Sequence, residues 1–151
     1  MKVKSILVPV DYSSSSGAAL GYAAELAGEL GASLNVVHVW DRPTYVSDTV
    51  MVHEPTGGRR SLIDMIRENA ELEMKAFLKA QAVPESVKLE WRLLSGDPTG
   101  KILEAIKAGS YDLMIVGTHG RTGLRHVLLG SVAEKLVRLS PIPVLTVPRP
   151  R

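Results

Sequence analysis

Four glycines and a serine stand close together near the C-terminal end of the chain, at a spacing that suits phosphate chemistry. A glycine has no Cβ, so the backbone can bend there and approach an anion closely. The N–H groups at the start of a helix point at such an anion, and the helix dipole favours its negative charge. The stretch that contains Gly117, Gly120, Gly123, Gly130 and Ser131 therefore predicts a phosphate-binding loop.

The residues on either side of this loop predict the elements that must position it. Residues 113–116 form an apolar run typical of a buried strand. From Val132 the pattern is helical, because Val132, Leu136 and Leu139 recur at spacings of four and three. A strand, a glycine-rich loop and a helix start, in that order, are what a phosphate site of this kind needs.

Several side chains in the loop have two interpretations. Ser131 could give its hydroxyl and N–H to a phosphate, could cap its own helix, or could do both. Arg121 could bind a phosphate as a bidentate donor or lie in solvent, and His119 is the titratable side chain beside it. Arg125 and His126 are assigned to the surface.

The spacing matches neither of the two common nucleotide motifs, since no lysine precedes Ser131 and since Gly117 and Gly120 are three residues apart. The pattern glycine-x2-glycine-x9-glycine-serine resembles the ATP-binding signature of the universal stress protein family. The resemblance covers nearly the whole chain. Its blocks are Ile6-Leu-Val-Pro-Val-Asp11, Val116-Gly-Thr-His-Gly-Arg-Thr-Gly123, and Gly130-Ser-Val-Ala-Glu134 running to Pro143-Val-Leu-Thr-Val147.

The resemblance implies a regulatory stress-response protein that binds ATP, with any Mg²⁺ held mainly by the phosphates and water. It also implies that the main chain of Val39 contacts adenine, a position that the sequence alone would assign to the core. Ala133 departs from relatives in which a hydroxyl residue offers one more phosphate contact. The predicted nucleotide-binding residues are Pro9, Val10, Asp11, Val39, Val116, Gly117, His119, Gly120, Arg121, Gly130, Ser131, Val132 and Ala133.

Two polar residues near the first two strands have competing interpretations. Asp11 follows a buried strand, where it could bind a ribose hydroxyl or the adenine amino group, or cap the first helix together with Ser13. His38 lies within an apolar strand and is interpreted as a core histidine whose hydrogen bonds are satisfied.

Strands alternate with helices along the chain, which predicts one α/β domain over residues 1–151. The predicted domain is built on a doubly wound, open, five-stranded parallel sheet with four helices. It is Rossmann-like and similar to the adenine nucleotide alpha-hydrolases. The resemblance implies the strand order 3-2-1-4-5, which would bring Asp11 and the glycine-rich loop to one cleft at the switch point. The strands are expected at 2–10, 33–40, 87–94, 111–116 and 144–147, and Pro9 is expected to end the pairing of the first strand. The first helix is expected to follow a cap at Ser13 or Ser14 and to end at a left-handed Gly31. The other helices are expected at 61–81, at 98–108 with Asp97 as the cap, and at 132–139, and the longest loop, a candidate mobile flap, at 41–58.

Composition excludes several classes of function. The 151 residues contain no cysteine, so neither disulfides nor thiolate metal sites are possible, and a cytoplasmic location is expected. The net charge of +2 comes from scattered charges with few aromatic residues, which argues against nucleic-acid binding. The apolar run at residues 6–10 is too short for a signal peptide or a membrane span.

No nucleophilic elbow, spaced carboxylate pair or metal-binding histidine pair is evident in the sequence. A slow or absent hydrolysis of ATP is therefore expected. Two alternatives stay open: an ATP-hydrolysing or nucleotidyl-transferring enzyme that uses His119 and Arg121, and an interaction module without nucleotide. The short apolar strand Val144–Val147, bracketed by prolines, predicts a homodimer through a sheet edge.

Overall fold

A five-stranded parallel sheet is the central element of the computed structural model, which describes residues 2–40, 46–119 and 129–149. Its five strands lie in the predicted order 3-2-1-4-5, numbered along the chain, and this prediction is confirmed. The strands are β1 (Ser5–Pro9), β2 (Ser33–Trp40), β3 (Met51–His53), β4 (Arg59–Ser61), β5 (Leu89–Ser95), β6 (Leu113–Gly117) and β7 (Val144–Val147); the helices are α1 (Ser14–Leu30), α2 (Leu62–Lys79), α3 (Pro98–Ala108) and α4 (Ser131–Leu139).

The sheet has an apolar layer on each face, because successive side chains of a strand point to opposite sides. On one face Ile6 and Val36 pack with residues of α1 and with Met74 of α2. On the other face Leu7 and Val37 pack with residues of α3 and α4. Helices on both faces explain why the central strands read as continuous apolar runs rather than as alternating ones.

The helix ends follow the predicted capping chemistry. Ser13 accepts a hydrogen bond from the N–H of Ser16 (3.2 Å) at the start of α1, and Gly31 ends that helix with a left-handed φ of 64°. The carboxylate of Asp97 accepts from the N–H of Gly100 (2.8 Å) at the start of α3. These predictions are confirmed.

The prediction of one irregular loop over 41–58 is wrong in part. Residues 41–45 lie outside the described residues, but β3 pairs antiparallel with β4 to form a hairpin. Arg60 joins this hairpin to α2, since its guanidinium pairs with Glu54 (Nε to Oε1, 3.4 Å) and also with Glu68. The strands are three residues long and contain no buried residue, so no apolar pattern predicted them.

The first strand ends at Pro9, as predicted, and Val10 completes the hydrogen bonding of its last pair with β2. Pro9 stands in register with Val37, and the next residue, Val10, still donates its N–H to the Val37 carbonyl (2.8 Å). In a parallel ladder alternate residues face opposite neighbours. The missing N–H of Pro9 therefore faces β6, not β2, and the register between β1 and β6 ends at Leu7.

Within residues 2–40, 46–119 and 129–149, none of the helices combines the length and apolarity that crossing a membrane would require.

Candidate functional site

A cleft of about 300 Å³ lies at the carboxyl ends of β1, β2 and β6, where the strand order reverses. Every predicted site residue that the structure describes lines this cleft; Gly120 and Arg121 lie outside the described residues. Ligands of open α/β sheets bind at such a switch point. The lining residues that the sequence predicted are Pro9, Val10, Asp11, Val39, Val116, Gly117, His119, Gly130, Ser131, Val132 and Ala133.

Val39 brings a backbone donor and a backbone acceptor to the cleft. The carbonyl of Val37 accepts from Val10, so Val37 directs its main-chain groups toward β1. Val39 is two residues further along β2 and directs its N–H and C=O to the same side. Because β1 has ended at Pro9, these two groups face the cleft beyond the last strand pair.

Asp11 forms the turn between β1 and α1. Its Oδ1 accepts from the N–H of Ser13 (3.0 Å), and its own N–H donates to Oγ of Ser16 (3.3 Å). The cap of α1 is Ser13 itself, so Asp11 holds the capping residue rather than acting as the cap. The half-buried carboxylate is thereby fixed at the wall of the cleft.

Gly117 is a glycine for a reason that the sequence did not reveal. A Cβ at this position would lie 2.6 Å from Oγ and 2.7 Å from the carbonyl oxygen of Ser15, at the start of α1. The hydroxyl of Ser15, which is fully buried, accepts the N–H of His119 (3.2 Å). Close packing of β6 on α1 thus sets where the chain leaves the sheet. Nδ1 of His119 lies 2.8 Å from Oγ1 of Thr118.

The first turn of α4 supplies backbone donors on the opposite wall. Gly130 is the N-cap, with φ −65° and ψ 155°, and its N–H donates to the carbonyl of Thr118 (2.6 Å). The first hydrogen bond within the helix runs from Glu134 to Gly130 (2.8 Å), so the N–H groups of residues 131–133 precede the helical ladder. Ser131 is the first helical residue, and its interpretation as the cap of its own helix is wrong because Gly130 takes that place.

Several lining residues escaped the sequence analysis. Pro98 and Ile102 come from α3, which begins at the same edge of the sheet as α4, and this position follows from topology rather than from local sequence. His38 is buried and hydrogen-bonded, as predicted for a core histidine. It also lines the cleft. The residues that were missed are Ser16, Val37, His38, Pro98, Ile102 and Leu136.

The polar groups of the cleft suit an uncharged ring and an anion at different places. Asp11 and the main chain of Val39 lie on the wall formed by β1 and β2, and the helix N-terminus of α4 lies on another wall. Within the described ranges, no group of three or more histidine, aspartate or glutamate side chains is arranged to hold a metal ion.

Comparison with known proteins gives one consistent result. The model of the universal stress protein family matches residues 2–148. A universal stress protein of Bacillus subtilis is 35% identical over 147 residues, which cover 94% of this chain and 97% of the relative.

Solved structures share the fold. A universal stress protein in complex with cAMP has a TM-score of 0.66 at 23% identity and covers 99% of this chain and 100% of its own. A universal stress protein from Archaeoglobus fulgidus in complex with dAMP has a TM-score of 0.59 at 23% identity, covering 97% of this chain and 98% of its own. At these identities the likeness shows the fold alone.

Proposed function

The chain belongs to the universal stress protein family, and from this membership and the geometry of the cleft we propose that it binds ATP at the carboxyl ends of β1 and β6. As a family member it is a stress-response protein. The cAMP and dAMP complexes of proteins with the same fold support an adenine nucleotide as the ligand. The preference for the triphosphate is our proposal, based on the resemblance of the glycine-serine pattern to the family's ATP signature.

The observation that carries this proposal is the main-chain pair of Val39. Adenine presents an acceptor, N1, beside a donor, the N6 amino group. The N–H and C=O of Val39 offer the complementary pair from one residue, at a wall where β1 no longer pairs with β2. Apolar residues of the cleft, among them Val37 and Ile102, can then cover the faces of the base.

The phosphates fit the other wall. The N–H groups of residues 131–133 precede the helical ladder of α4 and carry the positive end of its dipole. Asp11, which lines the cleft, would accept a hydrogen bond from a ribose hydroxyl. Any Mg²⁺ would be held by the phosphates and by water.

We further propose that ATP acts as a regulatory ligand in the cytoplasm, with residues 1–151 working as one domain. A homodimer through β7 is part of the same proposal. This strand is at the end of the sheet, and its Thr146 is exposed. An edge strand with a free row of backbone groups can pair with the same strand of a second copy.

Gly130→Val tests the location of the nucleotide. The backbone angles of Gly130 suit any residue, so valine should fold there, although it is a poorer N-cap than glycine. Its branched side chain would stand at the wall of the cleft where the phosphates are expected. Calorimetry should show that most of the ATP affinity is lost while the circular dichroism spectrum stays native.

The matched control is Gly21→Val in α1, where an added Cβ meets nothing within 4 Å. This variant should bind ATP like the wild type. If the Gly130 variant also binds like the wild type, the nucleotide lies elsewhere. If the wild-type protein binds no adenine nucleotide, the proposed function is wrong.

A further inference from the structure

We infer that His38 is a positioning residue for the base: its imidazole holds the end of β1 and so keeps the N–H of Val39 open to a ligand. The inference rests on the proposed function, because it concerns the same adenine edge. It also makes a claim about the protein without ligand, which can be tested separately.

The hydrogen bonds between β1 and β2 show which partner Val39 would otherwise have. The N–H of Ser33 donates to the carbonyl of Lys4 (2.9 Å), and in a parallel ladder this pairing repeats every second residue. Continued along both strands, it would bring the N–H of Val39 to the carbonyl of Val10. The register of the two strands instead ends with Pro9 opposite Val37.

The imidazole of His38 takes the place of that next bond. Its Nδ1 lies 2.8 Å from the carbonyl oxygen of Val10, and a carbonyl oxygen can only accept, so Nδ1 carries the proton. Nδ1 donates its proton in this bond whether the imidazole is neutral or protonated. His38 is 8% exposed, so the bond is shielded from competing water. The oxygen of Val10 thus bonds a side chain at the point where the ladder would have used it, and the register stops one step before Val39.

The turn after β1 packs on the ring, and α2 packs on that turn. The ring of Tyr12 packs on that of His38 with centroids 4.2 Å apart and planes tilted by 30°. Tyr12 also contacts Phe77 of α2, with centroids 5.3 Å apart. Tyr12 has a φ of 65°, a left-handed conformation that is uncommon for a residue with a Cβ. The turn after β1 thus adopts an unfavourable backbone that brings this aromatic ring against His38.

The arrangement bears on which base is accepted. Adenine needs a donor for N1 and an acceptor for N6, which Val39 supplies only while its N–H is open. Hypoxanthine presents the opposite pair, N1–H and O6, and would leave groups on both sides unpaired. If the N–H of Val39 bonded to Val10, adenine would lose one hydrogen bond and its advantage over hypoxanthine.

Amide hydrogen exchange of the ligand-free protein tests the first half of the inference. In the wild type the amide of Val39 should exchange much faster than that of Val37, which lies inside the ladder. In His38→Leu the carbonyl of Val10 becomes available, and the Val39 amide should slow toward the rate of Val37. A Val39 amide that is as protected as Val37 in the wild type, or unchanged in the variant, would overturn the inference.

Calorimetry with ATP and ITP tests the second half. His38→Leu should weaken ATP binding about three- to tenfold and reduce the preference for ATP over ITP. His38→Asn should retain both, because its amide N–H can replace Nδ1–H as the donor to Val10. A merely structural role would instead weaken ATP and ITP equally in both variants, which would refute positioning by the hydrogen bond.

The two proposals fail in different ways. Wild-type binding of ATP together with unaltered binding by His38→Leu would overturn the role of His38 and leave the proposed function standing. Absence of ATP binding by the wild type would overturn the proposed function and, with it, the role in base selection. The exchange rate of the Val39 amide would then still decide whether His38 keeps that group open.

Discussion

Gly117 and Ser15 show at the scale of single residues how the cleft is fixed by packing. The glycine was predicted as part of a phosphate loop, but its lack of a Cβ is required by the backbone of Ser15. The hydroxyl of the same serine then accepts the N–H of His119, so one buried residue sets both the depth of β6 and the exit of the loop. The contact between Gly117 and Ser15 therefore both stabilises the fold and shapes the cleft.

Gly117→Ala should therefore destabilise the fold itself. The added Cβ would meet two atoms of Ser15 at 2.6 and 2.7 Å, and overpacking of this kind costs about 1–3 kcal/mol. Chemical denaturation measures the loss. Gly21→Ala is the control, since its Cβ meets nothing within 4 Å and alanine in a helix interior gains about 0.5–1 kcal/mol over glycine. Equal stability of Gly117→Ala and the wild type would contradict the packing argument.

At the scale of elements, the sequence predicted the strands and helix ends whose own residues form a recognisable pattern. The five long strands are apolar runs, and the caps Ser13 and Asp97 follow from residue type, so order and ends were predictable. The hairpin of β3 and β4 was not, because each strand is short and has no buried residue. Likewise Asp11 and the glycines mark the cleft locally, whereas Pro98 enters it only because α3 begins at the same sheet edge.

The hydrogen bonds of the edge strand β7 show which of its residues to substitute in a test of dimerisation. The N–H of Thr118 donates to the carbonyl of Val147 (3.0 Å), so Val147 and Leu145 face β6 while Thr146 directs its N–H outward. Thr146→Pro removes that outward donor and should shift a dimer toward the monomer of 16.3 kDa in light scattering.

Leu145→Pro serves as the comparison for this edge. It removes a donor within the sheet and should lower thermal stability, which Thr146→Pro should largely preserve. A wild type that scatters as a monomer at micromolar concentration would refute the dimer. A dimer that Thr146→Pro leaves intact would move the interface away from β7.

At the scale of the whole molecule, the fold brings backbone groups rather than reactive side chains to the cleft. The walls described above offer the main chain of Val39, the N-terminus of α4 and the carboxylate of Asp11. Among the described residues no cluster of metal-binding side chains accompanies them. We propose that such a site holds a nucleotide mainly through backbone groups.

We therefore expect ATP turnover far below the rate of about 1–100 per second that is typical of kinases. Phosphate release by a preparation that is pure by mass spectrometry measures it. A rate within that range would contradict the proposal of a binding protein. If that rate persisted in a His119→Ala, Arg121→Ala double variant, neither side chain would be its source.

The short hydrogen bond from Gly130 to the carbonyl of Thr118 has an evolutionary consequence. It joins the two ends of the segment 119–129 at the sheet, so the anchoring of β6 and α4 does not depend on how long that segment is. Loop closure entropy grows only slowly with length, by about 0.6 kcal/mol per doubling. Insertions and substitutions in this segment should therefore be inherited at little cost to folding.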